Sequence, residues 1–273
     1  MSYFLSMKML WLLVILILST KGLFAQNINA GARITAMGQT GVALQEIWSL
    51  QSNQAGLASL RKPTVSISYL NSTPGTEINT QSAVFAIPYR HQTFGWSMQS
   101  FGFSAYKERR FGFAYARNFK DALYVSLNFN YHQLSIPGYG NAGTYSVEAG
   151  LQFKPSENLI IGAHIVNPSA SSYDTDVAAI LPVFAEAGSS YTFSDKVLVS
   201  TALVVTSKRF ADFRTGIEYS VVPQLAFRGG ISTHPFKQYA GFGYTIDHLC
   251  IDGALSSHPA LGYSPQISLA YEF

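Results

Sequence analysis

The groups in this 273-residue chain that could do chemistry are six histidines, one cysteine and a set of acids and bases that alternate with apolar neighbours. His91, His132, His164, His234, His248 and His258 stand singly, without the helical i, i+4 spacing that lets paired imidazoles hold zinc, so no metal and no cofactor is expected. A serine nucleophile needs an imidazole within hydrogen-bond reach, and His132 and Ser135 invite that comparison. Residues three apart on a strand face opposite ways, which argues against the pair. Gly138 to Gly143 matches a dinucleotide fingerprint formally, but it joins two strand-like segments and opens no helix, so it reads as a turn. Cys250 lies near the C-terminus and reads as a small apolar strand residue. No enzyme is expected.

The elements that carry these residues are strands. From Pro63 onward the chain repeats runs of about ten residues in which apolar side chains alternate with polar or small ones, each closed by a turn signal. The runs fall at 64–71, 79–89, 93–103, 107–119, 122–135, 144–154, 158–167, 182–193, 196–206, 212–221, 224–233, 238–247, 249–257 and 266–273. Short connectors such as Lys120-Asp121, Ser194-Asp195 and Val222-Pro223 alternate with longer ones at 137–143, 168–181 and 258–265. One face of the runs is greasy, for example Phe111, Phe113, Leu127, Phe129, Tyr131, Val199, Leu203 and Ile217. The other carries Arg110, Glu148, Glu186, Arg214, Glu218 and Arg228 among glycines such as Gly150, Gly188, Gly216 and Gly230. The charges are expected to face inward, toward a lumen.

Compartment follows from the N-terminus. Lys8 precedes an apolar run from Met9 to Leu18, and Ala25 closes a small-residue stretch, the pattern of a cleaved signal peptide over residues 1–25. Two of the 18 basic residues, Lys8 and Lys21, leave with it, so the net charge of +3 falls close to neutral and nucleic acid is not an expected partner. A single cysteine excludes an internal disulfide. Charged residues make up 12% of the chain, about half the usual soluble share, and aromatics 14%.

A soluble sandwich also alternates but buries its apolar face. Export, low charge and the final run Gln266 to Phe273 favour the opposite arrangement. A terminal strand ending on Tyr271 and Phe273 resembles the assembly signal of bacterial outer-membrane barrels. The expected fold is all-β: a closed antiparallel transmembrane β-barrel of about 14 strands over residues 63–273, in the bacterial outer membrane with its lipid as partner. Closure follows from the cost of unpaired backbone groups in hydrocarbon, several kcal/mol each.

Residues 26–62 lack strand periodicity. They carry Gly31-Ala32-Arg33, Met37-Gly38, Gly41-Val42-Ala43-Leu44 and then Asn53-Gln54-Ala55-Gly56-Leu57-Ala58. This resembles the opening of FadL-like outer-membrane proteins, including the PorV and PorQ branch associated with type IX secretion, where a Gly-Ala-Arg, Met-Gly and Gly-Val-Ala-Leu series precedes Asn-Pro-Ala-Gly-Leu-Ala. Gln54 stands at the proline position, a departure expected to alter the local turn. The resemblance implies an N-terminal plug or hatch folded into the barrel. It also implies a structural or accessory subunit of an outer-membrane secretion machine, with other outer-membrane or secretion-system proteins as partners. The alternative it leaves open is a transporter or channel for a small hydrophobic molecule.

Overall fold

The structure, a computed structural model, describes residues 30–138, 140–173, 181–206, 211–259 and 262–273. The leader expected at 1–25 and the first residues of segment 26–62 lie outside the described residues. Fourteen strands follow one another: β1 (Thr64–Asn71), β2 (Asn79–Tyr89), β3 (Gln92–Phe103), β4 (Tyr106–Phe119), β5 (Leu123–Ile136), β6 (Gly140–Ser156) and β7 (Leu159–Val166). The second half comprises β8 (Phe184–Ser194), β9 (Val197–Thr206), β10 (Asp212–Val222), β11 (Leu225–Thr233), β12 (Phe236–Ile246), β13 (Leu249–His258) and β14 (Gly262–Glu272). Each pairs antiparallel with its chain neighbours, and β1 pairs β14, so the sheet closes without an edge.

An even strand number brings both ends of the sheet to one rim. There the Phe273 N–H donates to the Pro63 carbonyl at 3.0 Å. The same rim carries the tight turns, in which Arg90, Lys120, Asp121 and Asp247 adopt positive φ. At one of them Asn118 and Arg61 bond the Asp121 carboxylate at 2.6 and 3.0 Å and hold its pKa below the usual carboxylate value. Short turns mark the periplasmic rim of such a barrel.

The alternation sorts the side chains as the sequence implies. Leu127, Phe129, Phe153, Ile161, Leu203, Ile217, Phe227 and Phe242 stand exposed on the outer surface, while Asn128, Asn130, Glu148, Gln152 and Ser200 are buried inside. A water-soluble protein would bury the first set, so this wall is built for hydrocarbon. Tyr69, Tyr89, Phe119, Phe193 and Tyr271 sit exposed near strand ends, the place of interfacial aromatic girdles.

Two connectors differ from expectation. Pairing in the β5–β6 and β13–β14 hairpins continues to Ile136↔Gly140 and His258↔Gly262, so the loops expected at 137–143 and 258–265 shrink to 137–139 and 259–261. Beyond the hydrocarbon, hydrogen bonding between strands persists although alternation is no longer required, and the pattern fades before the ladder does. Pro265 lies just past the end of β1 pairing, at Leu70↔Gln266, where a missing N–H costs nothing on that side. Strands β4 to β6 span 14, 14 and 17 residues against 8 for β7, so one side of the wall rises above the other.

Candidate functional site

The site is the lumen and the segment that lies in it. Residues 30–60 form no strand; they make a short helix α1 (Gly31–Ala36) and three 3₁₀ turns at Gly41–Ala43, Ile47–Gln51 and Gln54–Ser59. Small residues permit this path. Gly31 has φ +75° with the Trp48 ring packed where its Cβ would lie, and Gly38 has φ +71° against the carbonyl of Thr215. Gly41 and Gly56 make room in the same way for the side chains of Ser52 and Ser49.

The segment circles the lumen wall. The Ala32 N–H donates to Ser268 Oγ of β14 at 2.8 Å, Thr40 bonds Ser200 of β9, and Ser190 Oγ of β8 donates to the Ala43 carbonyl at 2.8 Å. Gln152 of β6 donates to the Val42 and Leu44 carbonyls at 3.1 and 3.0 Å. Asn53 caps the last turn by accepting from the Ala55 N–H at 3.2 Å, and its amide donates to the Val42 and Leu151 carbonyls at 2.7 and 3.1 Å. Where the segment's backbone comes closest to the wall, the wall residue is glycine. A Cβ built on Gly162 would lie 2.1 Å from the Val42 carbonyl oxygen, one on Gly216 2.2 Å from that of Met37, and one on Gly230 2.3 Å from the Gly38 nitrogen.

Below this contact belt lies an apolar core, in which Ile34, Met37, Trp48, Leu50 and Leu57 pack on inward Ala86, Ala114, Ala116 and Tyr124 near the periplasmic rim. Two charged layers stitch segment to wall. In the first, Arg110 bonds Glu148, donates to Asn130 Oδ1 at 2.9 Å and reaches Gln51 Oε1 at 3.4 Å. Gln54 Nε2 donates to Glu148 Oε2 at 2.6 Å, and His164 Nε2 lies 3.2 Å from the same oxygen. Both Arg110 and Glu148 side chains are under 4% exposed. The glutamine at the motif's proline position therefore starts a turn as proline would and adds a hydrogen bond to the wall.

In the second layer Arg33 grips Glu218 with two bonds of 2.8 and 2.7 Å and turns its third nitrogen to Glu46 at 2.9 Å. Arg228 joins Glu218 at 2.5 Å and Asp252 at 2.6 Å. The remaining expected lumen charges are less central. Arg214 bonds Asp212 at 2.7 Å and reaches the Gln39 carbonyl at 3.4 Å; Glu186 stands opposite His164 with Oε1 unbonded among the described residues. Tyr271 and Phe273 lie outside the lumen, exposed at the periplasmic rim with ring centroids 5.1 Å apart.

Sequence reasoning did not reach two features. One is a serine–histidine contact: His132 Nε2 lies 2.8 Å from Ser146 Oγ, on the next strand. His132 Nδ1 has no partner among the described residues, so the pair has no third group to orient the base. The other is an apolar mouth. Above the charged layers, inward Leu134, Ile136, Tyr106 and Ala142 gather with Tyr173 and Leu181 of the β7–β8 connector. Its signal was present in β5, whose inward register runs Asn128, Asn130, His132 and then turns apolar at Leu134 and Ile136.

A closed fourteen-stranded antiparallel cylinder, apolar outside and charged within, is the fold of a bacterial outer-membrane β-barrel. Among solved structures the chain is similar to the toluene transporter TbuX of Ralstonia pickettii, at 15% identity and TM-score 0.67 over 89% of this chain and 98% of that one. It is also similar to the monoaromatic hydrocarbon channel CymD, at 12% identity and TM-score 0.70 over 91% and 99%. A FadL homologue of Pseudomonas aeruginosa matches at 12% identity and TM-score 0.62 over 89% and 98%. These likenesses establish a FadL-like barrel fold. No family model matches the chain, and no curated protein matches its sequence.

Proposed function

We propose that the barrel passes small apolar molecules across the outer membrane, and that residues 26–62 serve as its movable hatch. The observation that carries this reading is how the charges pair. Within the wall Glu148 has Arg110, and Glu218 and Asp252 share Arg228; within the segment Arg33 has Glu46. Breaking the Arg33–Glu218 contact and the neutral amide bonds of Gln51 and Gln54 would therefore leave each of these ions at least one opposite partner, with Glu218 and Asp252 sharing a single cation on the wall. Removing the last partner of a buried charge costs several kcal/mol, and this arrangement leaves none of these ions without one when the segment moves.

The mouth sets the class of solute. Leu134, Tyr173 and Leu181 close that end of the lumen as a buried apolar cluster, with Tyr106 and its partner Glu108 beside it, so a solute entering there meets mostly apolar side chains. The similar structures include a toluene transporter and a monoaromatic hydrocarbon channel, which agrees with that chemistry. Register breaks lie at 153/156, 192/194 and 220/222, all at the periplasmic rim, and β3 pairs both neighbours without a break. The proposed route therefore runs along the lumen. The accessory-subunit reading rests on the N-terminal resemblance together with the modest loops, and none of the structures named above is a secretion component.

Uptake of radiolabelled toluene by cells that lack other hydrocarbon channels tests the proposal. Cells producing this protein are expected to take it up several-fold faster than cells carrying an empty vector. Equal initial rates would refute it.

A further inference from the structure

The outer wall of β3 to β6 carries a groove of about 580 Å³ lined by Trp96, Phe111, Phe113, Phe129, Tyr131 and Tyr145. Trp96 and Phe113 lie 5.5 Å apart between centroids, Tyr131 and Tyr145 5.1 Å, so the groove is a packed aromatic platform. Gly143, opposite Gln133, lets the Tyr131 ring lean into the space a side chain would fill. Ser169 and Ser171 of the β7–β8 connector line the same groove with hydroxyls.

Directly above it, on the same face, stand two cations. Arg109 follows Phe111 by one outward-facing position and pairs across to Gln133, as Phe111 pairs to Tyr131; Lys107 is one position further out. Arg109 gives Nη1 to Gln133 Oε1 at 3.4 Å. Among the described strand residues, Lys107 and Arg109 are the cations that face lipid on the extracellular half of the wall. The lipid-facing Arg117, and Arg90 at a tight turn, sit at the periplasmic rim over Phe119 and Tyr89.

We propose that this face docks a phosphorylated, multiply acylated glycolipid of the outer leaflet, with acyl chains in the aromatic groove and a phosphate on Arg109 and Lys107. A guanidinium fork and an ammonium side by side complement a phosphate, and aromatic faces accept acyl chains at low conformational cost. The cations lie beyond the aromatic platform on its extracellular side, where the wall rises highest. The serine hydroxyls lie where sugar hydroxyls would reach them, which favours a glycolipid over a glycerophospholipid.

Thermal unfolding of the purified barrel in detergent tests this, with three additives: bisphosphorylated hexa-acyl lipid A, the same lipid stripped of phosphate, and phosphatidylglycerol. The native chain is expected to gain several degrees with the bisphosphorylated lipid and little with either of the others. K107Q/R109Q should lose that gain while keeping native heat-modifiable mobility on gels, and Phe129→Ser should reduce it with both cations in place. An equal gain in K107Q/R109Q, or an equal gain from phosphatidylglycerol, would overturn the proposal.

Discussion

Leucine at position 110 is expected to destabilise the barrel by about 3–5 kcal/mol, the cost of leaving a buried ion without its partner. Arg110 is the cation bonded to Glu148, and both side chains are almost inaccessible to water. Gln54, Asn130 and His164 would still touch Glu148, but none carries the fixed charge that balances it. R110L/E148L removes both ions and is expected to recover most of the loss. Lysine at 110 should recover only part, because its single ammonium cannot reach Glu148, Asn130 and Gln51 at once. Urea unfolding of the refolded barrel in lipid vesicles reads all three. A single variant as stable as the native chain would show that leaving Glu148 without Arg110 costs nothing.

Alanine at both Gly162 and Gly216 should push the N-terminal segment off the wall. Each new Cβ would sit about 2 Å from a backbone oxygen, of Val42 and of Met37, which cannot swing aside as a side chain can. Overpacking of this kind costs about 1–3 kcal/mol at each site. The strands should still pair, since the added methyl groups leave the ladder untouched. The expected result is faster toluene uptake and new protease cleavage within residues 30–60, with unchanged gel mobility. Gly229→Ala is the control, because its Cβ would meet only the Tyr239 oxygen at 3.8 Å. Uptake and cleavage identical to the native chain would mean that the segment does not need this close approach.

The strands were legible because hydrocarbon outside and a polar lumen inside impose period two on every pass, and only the ends escaped. At Gly140 and Gly262 pairing continues into water, where no alternation is enforced and nothing in the residue types marks the ladder. The inward direction of Arg110, Glu148, Glu218 and Arg228 follows from that same period. Their partners do not, because sequence distance says nothing about which of β4, β6, β10 and β11 meets which part of an irregular segment. Glu46 and Gln51 illustrate this: both lie in a stretch without periodicity, and their roles come from where three short turns carry them. The glycines of the wall were visible as inward positions of low bulk, yet their meaning, room for a second layer of backbone, required the segment in place.

The central claim is that this segment must leave the wall for a solute to pass. Thr40 and Ser200 touch through their hydroxyls, so cysteines at both positions, in a Cys250→Ser background, can form a disulfide that pins the segment to β9. Toluene uptake measured on the oxidised and then the reduced protein should fall to the empty-vector rate and recover on reduction. Uptake that continues unchanged with the disulfide formed would contradict the account.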